Sequence, residues 1–128
     1  KKDLLKEVIA ELKAAGIRTS IFVEPEIEII DGASAIETDR IELYTESYAS
    51  NYKYDKKSAI KNYKAAAARA KALGIGINAG HDLDLDNLAY LKQEIPYIDE
   101  VSIGHALVCD AIYLGLENTI QLYLKKLK

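Results

Sequence analysis

The stretch ALGIGINAG, residues 72–80, joins the end of a predicted helix to the start of a predicted strand. The residues before it, 57–73, are dominated by Ala and Lys, which are strong helix formers, and Gly74 stands where a helix C-cap belongs. The β-branched isoleucines that follow indicate a strand. Residues 14–23, AAGIRTSIFV, have the same order of helix end, glycine and strand. Helices that alternate with strands predict an α/β fold with a parallel sheet.

The same patterns extend to both ends of the chain. Helices are predicted for residues 3–15, 26–36, 57–73, 86–94 and 106–127, the last with a break near Gly115, and strands for residues 17–23, 40–45, 75–79 and 101–103. We therefore expect a leading helix and about four β-α units, with right-handed crossovers between parallel strands. No linker or low-complexity segment divides residues 1–128, so a single domain is expected.

Four parallel strands fit either a flavodoxin-like open sheet or half of an eight-stranded (βα) barrel of the TIM type. A nucleotide-binding Rossmann fold would need a glycine-rich turn after its first strand. The first strand runs instead into Glu24-Pro25-Glu26, which is acidic and contains no glycine. This segment disfavours nucleotide binding and leaves the open sheet and the half-barrel as alternatives.

Composition excludes several classes of protein. The chain has 128 residues and a net charge of −3, without the clustered basic residues that non-specific nucleic-acid binding needs. No apolar run reaches the ~18 residues of a membrane span. The single cysteine, Cys109, cannot form an internal disulfide, and no signal-peptide pattern is present, so a cytoplasmic protein is expected. The absence of Met suggests a fragment or a processed product.

Cys109 and a group of tyrosines have structural interpretations. Cys109 lies on an apolar stretch of the last predicted helix, which predicts that it fills the core. Residues 48–57 are polar and rich in tyrosine, and we predict a loop there. Its tyrosines, Tyr48, Tyr52 and Tyr54, would form a lid, an interface or a solvated surface.

Both histidines of the chain directly follow predicted strands. His81 comes after Asn78-Ala79-Gly80, and His105 comes after Ser102-Ile103-Gly104. The active site of a barrel enzyme lies at the carboxyl ends of its strands, and histidine transfers protons near neutral pH. Two such histidines at consecutive strand ends support a functional role about as well as the alternative, that both are ordinary turn histidines.

Gly104 and His105 also begin a predicted helix. The free backbone N–H groups of a helix N-terminus attract anions, and barrels often bind phosphate there. No basic residue accompanies this site, so binding would depend on the amides and on His105. The alternative is a tight turn that needs glycine.

Glu42 lies inside a predicted strand, on the same face as Tyr44. A carboxylate in a barrel lumen is costly to bury unless it is paired, which would make Glu42 a functional candidate. On a solvated face it would be an ordinary exposed residue, and the sequence leaves both possibilities open.

The alternating aspartates 82, 84 and 86 do not form a calcium loop of the EF-hand type. That loop would next need glycine at position 87 and glutamate at position 93, where this chain has Asn87 and Gln93. We therefore predict loop and helix-start positions, with Asp86 as the helix cap and no metal site.

Four segments of the chain together resemble pyridoxine 5′-phosphate synthases. They are AAGIRTSIFVEPEIEII (14–30), IELYT (41–45), INAGHDLDLDNL (77–88) and EVSIGHALVCDAIYLGLENTI (100–120). The N-A-G-H and I-G-H-A motifs, one β-α unit apart, carry most of the specificity. The resemblance implies an eight-stranded barrel with extra helices, assembled into homo-oligomers, in which this chain supplies the carboxyl-terminal half.

The resemblance also implies a reaction and residue roles. Members condense 1-deoxy-D-xylulose 5-phosphate with 3-amino-2-oxopropyl phosphate to close a pyridine ring, without a metal or a redox cofactor. His81 would be the proton donor, and Glu42 would stabilise the transition state. Gly104 and His105 would hold the phosphate of the amino-ketone, and Asp82 would contact the same substrate.

The chain departs from the family pattern in three places. Asp82 replaces a common glycine, and Tyr44-Thr45-Glu46 stands where His-Thr-Gly is frequent. No segment matches the family's amino-terminal half, which carries a catalytic His, a catalytic Glu and phosphate-binding arginines. Two alternatives therefore remain, namely another sugar-phosphate barrel enzyme and a non-catalytic, phosphate-binding half-barrel that self-associates.

Overall fold

The computed structural model describes residues 1–128 as six helices and four strands. The helices are α1 (Lys2–Ala14), α2 (Ile27–Ala35), α3 (Glu46–Ala72), α4 (Leu88–Glu94), α5 (His105–Leu114) and α6 (Leu116–Lys126), and the strands are β1 (Ser20–Val23), β2 (Arg40–Tyr44), β3 (Gly76–Gly80) and β4 (Glu100–Ser102). The predicted alternation of helices and strands is confirmed. None of the helices combines the length and apolarity needed to cross a bilayer.

The order of the strands distinguishes between the two predicted folds. All pairs are parallel, and the order across the sheet, β1-β2-β3-β4, equals the order in the chain. A flavodoxin-like sheet would have its first strand between two others and helices on both faces. Sequential order carries every crossover in the same direction and puts the helices on one face, as in a barrel. The chain is therefore an α/β half-barrel, with β1 and β4 as its open edges.

The hydrophobic core lies between the sheet and the helices. Ile41 and Leu43 of β2 are fully buried, and Ile77 of β3 is nearly so. Facing them, α3 presents buried alanines, among them Ala66 and Ala70, whose small side chains let the helix lie close to the sheet. Burial of each large aliphatic side chain contributes about 1.5–3 kcal/mol, so this layer accounts for much of the stability of the fold.

The opposite face of the sheet, which we call the lumen face, is polar and open. Strand register places Phe22, Glu42, Asn78 and Glu100 side by side across it. Arg40 donates a hydrogen bond of 3.0 Å to Asn78, which in turn donates one of 3.1 Å to Glu100. Phe22 is 64% exposed, so an apolar side chain on this face has no covering element in the chain.

The prediction of a loop at residues 48–57 is wrong, because α3 runs through this segment. The helix is kinked at Asp55, whose φ of −153° and ψ of 91° are not helical. The Asp55 carboxylate accepts the N–H groups of Lys57 (3.0 Å) and Ser58 (3.1 Å), as a helix cap does. The polar sequence thus marks the junction of two helices.

Two predictions about burial are also wrong. Tyr48, expected in a lid, an interface or a solvated loop, is fully buried against Tyr63, whereas Tyr54 is 89% exposed. Cys109, predicted to fill the core, is instead exposed on α5, a helix with no buried residue. The predicted break of the last helix is confirmed at Gly115, which has a φ of 78°.

Candidate functional site

An open cavity of about 700 Å³ lies at the carboxyl ends of the strands. Its lining includes every site residue that the sequence suggested, namely Glu42, His81, Asp82, Gly104 and His105. These residues come from β2, from the segment after β3 and from the start of α5. The roles that the family resemblance implies for them remain predictions, but the fold brings all five together.

The Glu42 side chain extends along the lumen face of the sheet towards the cavity. It is half-buried, and its carboxyl group lies over Gly80 of the neighbouring strand. A Cβ atom at position 80 would collide with Glu42 Oε1 and would lie 3.2 Å from Cβ of Ser102. Of the two possibilities that the sequence left open for Glu42, the structure therefore favours the lumen.

His81 projects from a left-handed backbone conformation at the end of β3. Its φ of 86° is unusual for a residue with a side chain. The imidazole makes edge-on contacts with the Tyr44 ring, at 4.5 Å between centroids, and with the Phe22 ring, at 5.5 Å. Two aromatic rings from β1 and β2 thus define where the exposed imidazole can lie.

Asp82 and the turn after it complete the rim of the cavity. Asp82 also has a left-handed φ, of 56°. The Asp84 carboxylate accepts the N–H groups of Asp86 and Asn87, each at 2.9 Å, and α4 begins after Asn87 without a side-chain cap, so the prediction of Asp86 as the helix cap is wrong. No three His, Cys, Asp or Glu side chains in the chain are grouped as metal ligands.

The N-terminus of α5 faces the same cavity. Gly104 precedes a helix of 10 residues whose first turn has no side-chain cap, so backbone N–H groups are free to bind an anion. A Cβ at Gly104 would meet no atom within 4 Å, so the approach is open. Among the charged residues that line the cavity are Glu42, Asp82 and Asp84, and none is Lys or Arg.

Sequence reasoning missed two residues of this site. Cys109 lines the cavity because it follows His105 by four residues, one helical turn, a spacing that could have revealed it. Thr45, directly after β2, is fully buried and donates to the backbone carbonyls of Gly80 and His81. Its partners are distant in the sequence, so no local sequence pattern predicts this contact.

Comparisons with known proteins agree with this geometry. The family model for pyridoxal phosphate biosynthesis protein PdxJ matches residues 1–128. Pyridoxine 5′-phosphate synthases of Cytophaga hutchinsonii and Christiangramia forsetii are 61% and 60% identical to the chain over 127 residues. The match covers 99% of this chain but 53% and 54% of those two proteins, so the chain spans about half of their length.

A solved structure supports the fold independently. The HMG-CoA lyase from Brucella melitensis, a TIM barrel, superimposes with a TM-score of 0.61 over 95% of this chain and 47% of that protein. At 20% identity the likeness concerns the fold alone. Because the family model matches all of residues 1–128, the half-barrel belongs to the family of pyridoxal phosphate biosynthesis protein PdxJ.

Proposed function

We propose that this chain forms the carboxyl-terminal half of a pyridoxine 5′-phosphate synthase. The synthase would condense 1-deoxy-D-xylulose 5-phosphate with 3-amino-2-oxopropyl phosphate and release phosphate and water. One observation carries the proposal, namely that the five residues implied by the family resemblance all line one cavity at the strand ends. Relatives with the name of this enzyme match 99% of the chain.

Each group in the cavity has a chemistry that fits its proposed role. His81 is exposed and held at the rim, where an imidazole can give a proton to a leaving group. The Glu42 carboxylate can stabilise positive charge that develops on the substrate nitrogen. The first turn of α5, at Gly104 and His105, offers amide N–H groups to a phosphate, and Asp82 lies beside it.

The charge of the cavity supports a need for the other half of the barrel. Glu42, Asp82 and Asp84 line it without a Lys or Arg, so a dianionic phosphate would meet repulsion from this half alone. A bound phosphate therefore needs cations nearby to offset this Coulomb repulsion. We propose that the amino-terminal half, which carries arginines in the family, supplies them across the lumen.

A chimaeric enzyme tests the proposal. Residues 1–128 replace the segment that they match in the Cytophaga hutchinsonii synthase, with which they share 61% identity. With both substrates, we expect product and phosphate at a rate within about tenfold of the parent, because each half supplies its own groups. A folded chimaera without turnover would refute the proposal, and the parent enzyme serves as the control.

A second candidate is a non-catalytic half-barrel that pairs with another copy. Exposed apolar side chains favour it, since Phe22 is 64% exposed and Ile112 and Tyr113 of α5 are 76% and 87% exposed. Native mass spectrometry of the 128-residue chain distinguishes the candidates. A dimer that binds inorganic phosphate but lacks turnover after addition of an amino-terminal half would support the non-catalytic half-barrel.

Another sugar-phosphate enzyme is less well supported. No strand carries a lysine, so Schiff-base chemistry at a strand end has no nucleophile. If the chimaera turned over a triose or pentose phosphate alone, without the amino-ketone, this candidate would be favoured over the synthase.

We also propose a cytoplasmic location and a homo-oligomeric assembly for the complete enzyme. The lone thiol of Cys109, exposed and without a disulfide partner, supports a reducing compartment. The exposed apolar side chains of α5 and α6 support assembly. Sedimentation of the chimaera tests the second point, and a monomer at micromolar concentration would contradict it.

A further inference from the structure

The backbone at the end of β3 adopts a conformation that needs support. His81 and Asp82 both have left-handed φ values, 86° and 56°, in consecutive positions. Side chains disfavour this region, and such conformations persist only where the surrounding structure imposes them. The contacts that hold this backbone therefore decide where the His81 imidazole lies.

Thr45 provides the most direct of these contacts. It is fully buried, and its Oγ1 lies 2.6 Å from the carbonyl oxygens of both Gly80 and His81. The Thr45 backbone N–H donates to Gly80 as well, at 2.8 Å. A single hydroxyl proton is thus shared between the two carbonyls. Without it the His81 carbonyl would lose this donor, whereas the Gly80 carbonyl would keep the Thr45 N–H.

Further hydrogen bonds support Asp82, the next residue of the bend, and the neighbouring strand end at Tyr44. The side-chain amide of Asn87 donates to the carbonyl of Asp82 at 3.1 Å. The Tyr48 hydroxyl donates to the carbonyl of Asn87 at 2.7 Å, and Tyr63 donates to that of Tyr44 at 2.9 Å. Burial raises the pKa of the Tyr48 hydroxyl well above its usual range, so it stays a donor.

The ring and the backbone of His81 are fixed by different neighbours. Tyr44 and Phe22 contact the ring edge-on, whereas Thr45 contacts only the backbone. Tyr44 and Thr45 are adjacent residues, so a single turn at the end of β2 sets both the position and the orientation of the imidazole. Loss of the hydroxyl would free the backbone while leaving the ring contacts available.

We propose that Thr45 is a positioning residue, whose buried hydroxyl holds the left-handed bend at His81 and so directs the imidazole into the cavity. The inference rests on the proposed function for its effect on turnover. The positioning of His81 by Thr45 concerns residues 1–128 alone and does not depend on that function. Thr45 does not itself line the open cavity and acts on it only through the backbone of Gly80 and His81.

Matched substitutions separate the hydroxyl from the volume of the side chain. Thr45→Val removes the hydroxyl and keeps the shape, whereas Thr45→Ser keeps the hydroxyl. In the chimaera we expect Thr45→Val to lower kcat on the order of 10- to 100-fold with KM little changed, and Thr45→Ser to stay within about threefold of the parent. Equal values for the two variants would overturn the proposal.

Thr119 offers a control for the loss of a buried hydroxyl elsewhere. It is also fully buried and donates to the carbonyl of Gly115, at 2.9 Å, at the start of α6. Thr119→Val should leave kcat unchanged. Should Thr45→Val fail to fold, Thr45→Cys replaces it, because a thiol is a weaker donor than the serine hydroxyl at similar size. A kcat for Thr45→Cys equal to that for Thr45→Ser then counts against the proposal.

A spectroscopic measurement on the 128-residue chain keeps this inference separate from the proposed function. The edge-on Tyr44 ring at 4.5 Å shifts the ring protons of His81 in an NMR spectrum. Thr45→Val should move or broaden these signals, whereas Thr45→Ser and Thr119→Val should not. If the chimaera lacks turnover, the proposed function fails while this result still decides on Thr45, and unchanged signals would overturn the positioning role.

Discussion

The carboxyl group of Glu42 lies directly over Gly80, in the space that a side chain at position 80 would occupy. A Cβ atom there would lie 3.3 Å from Cδ of Glu42 and still closer to its Oε1. The φ of Gly80 is not in the left-handed region, so backbone freedom does not explain this glycine. Its lack of a side chain is what lets Glu42 reach the cavity.

Gly80→Ala should therefore affect activity more than stability. The Glu42 carboxyl is the end of a flexible side chain and can swing away, so the free energy of unfolding should fall by only about 1–2 kcal/mol. Turnover of the chimaera should fall at least about tenfold because the carboxylate is misplaced. Steady-state kinetics and urea unfolding measure the two effects, and a variant with full turnover would contradict the role of Glu42.

Gly32→Ala is the matched control for the same change of side chain. Gly32 lies inside α2, and a Cβ there would meet no atom within 4 Å. Alanine is a better helix former than glycine, so stability should rise by about 0.5–1 kcal/mol. Urea unfolding checks the value, and a loss of stability would mean that α2 is packed differently.

His81→Asn should abolish proton transfer without disturbing the bend. Asparagine tolerates left-handed backbone better than most residues, and the φ at this position is 86°. We expect turnover of the chimaera to fall about 10²- to 10⁴-fold with the melting temperature little changed. His81→Ala should be less stable than His81→Asn, and near-normal turnover in either variant would exclude His81 as the proton donor.

Substitutions of Asp82 test whether its left-handed backbone is costly. Glycine adopts a φ of 56° freely, whereas alanine does not. Asp82→Gly should therefore be more stable than Asp82→Ala by about 1 kcal/mol. Thermal and urea unfolding of the two variants give the difference, and equal stabilities would show that the turn relaxes to another conformation.

Asp39 should make stability depend on pH in the acid range. The backbone N–H and hydroxyl of Thr19, with the Lys13 ammonium, lower the pKa of Asp39 from 3.8 to about 2. Because the folded-state pKa lies below the unfolded-state one, ionised Asp39 stabilises the fold above pH ~4, and this contribution is lost as the pH falls towards ~2. Urea unfolding should show that the loss of unfolding free energy caused by Asp39→Asn becomes smaller as the pH falls through this range. A loss that does not change with pH would contradict the prediction.

The sheet and the strand-end histidines could be predicted because their signals are local. The isoleucines and glycines of residues 72–80 and the Gly-His pairs lie next to one another in the sequence. The burial of Tyr48 could not be predicted, because the polar residues around it face solvent while its own ring packs on Tyr63. The contact of Thr45 with His81 joins two β-α units, and only the assembled sheet brings the two residues together.

The identical order of strands in the sheet and in the chain has a consequence for how the protein forms. Each strand from β2 onward pairs with the one made just before it, so during synthesis no strand must wait for a later one to be inserted beside it. Pairing between neighbouring units keeps loops short and the entropy of closing them small. Within residues 1–128 the sheet can therefore form one strand at a time, from β1 to β4, as the chain leaves the ribosome, and a complete barrel would then need pairing only at the free edges of β1 and β4.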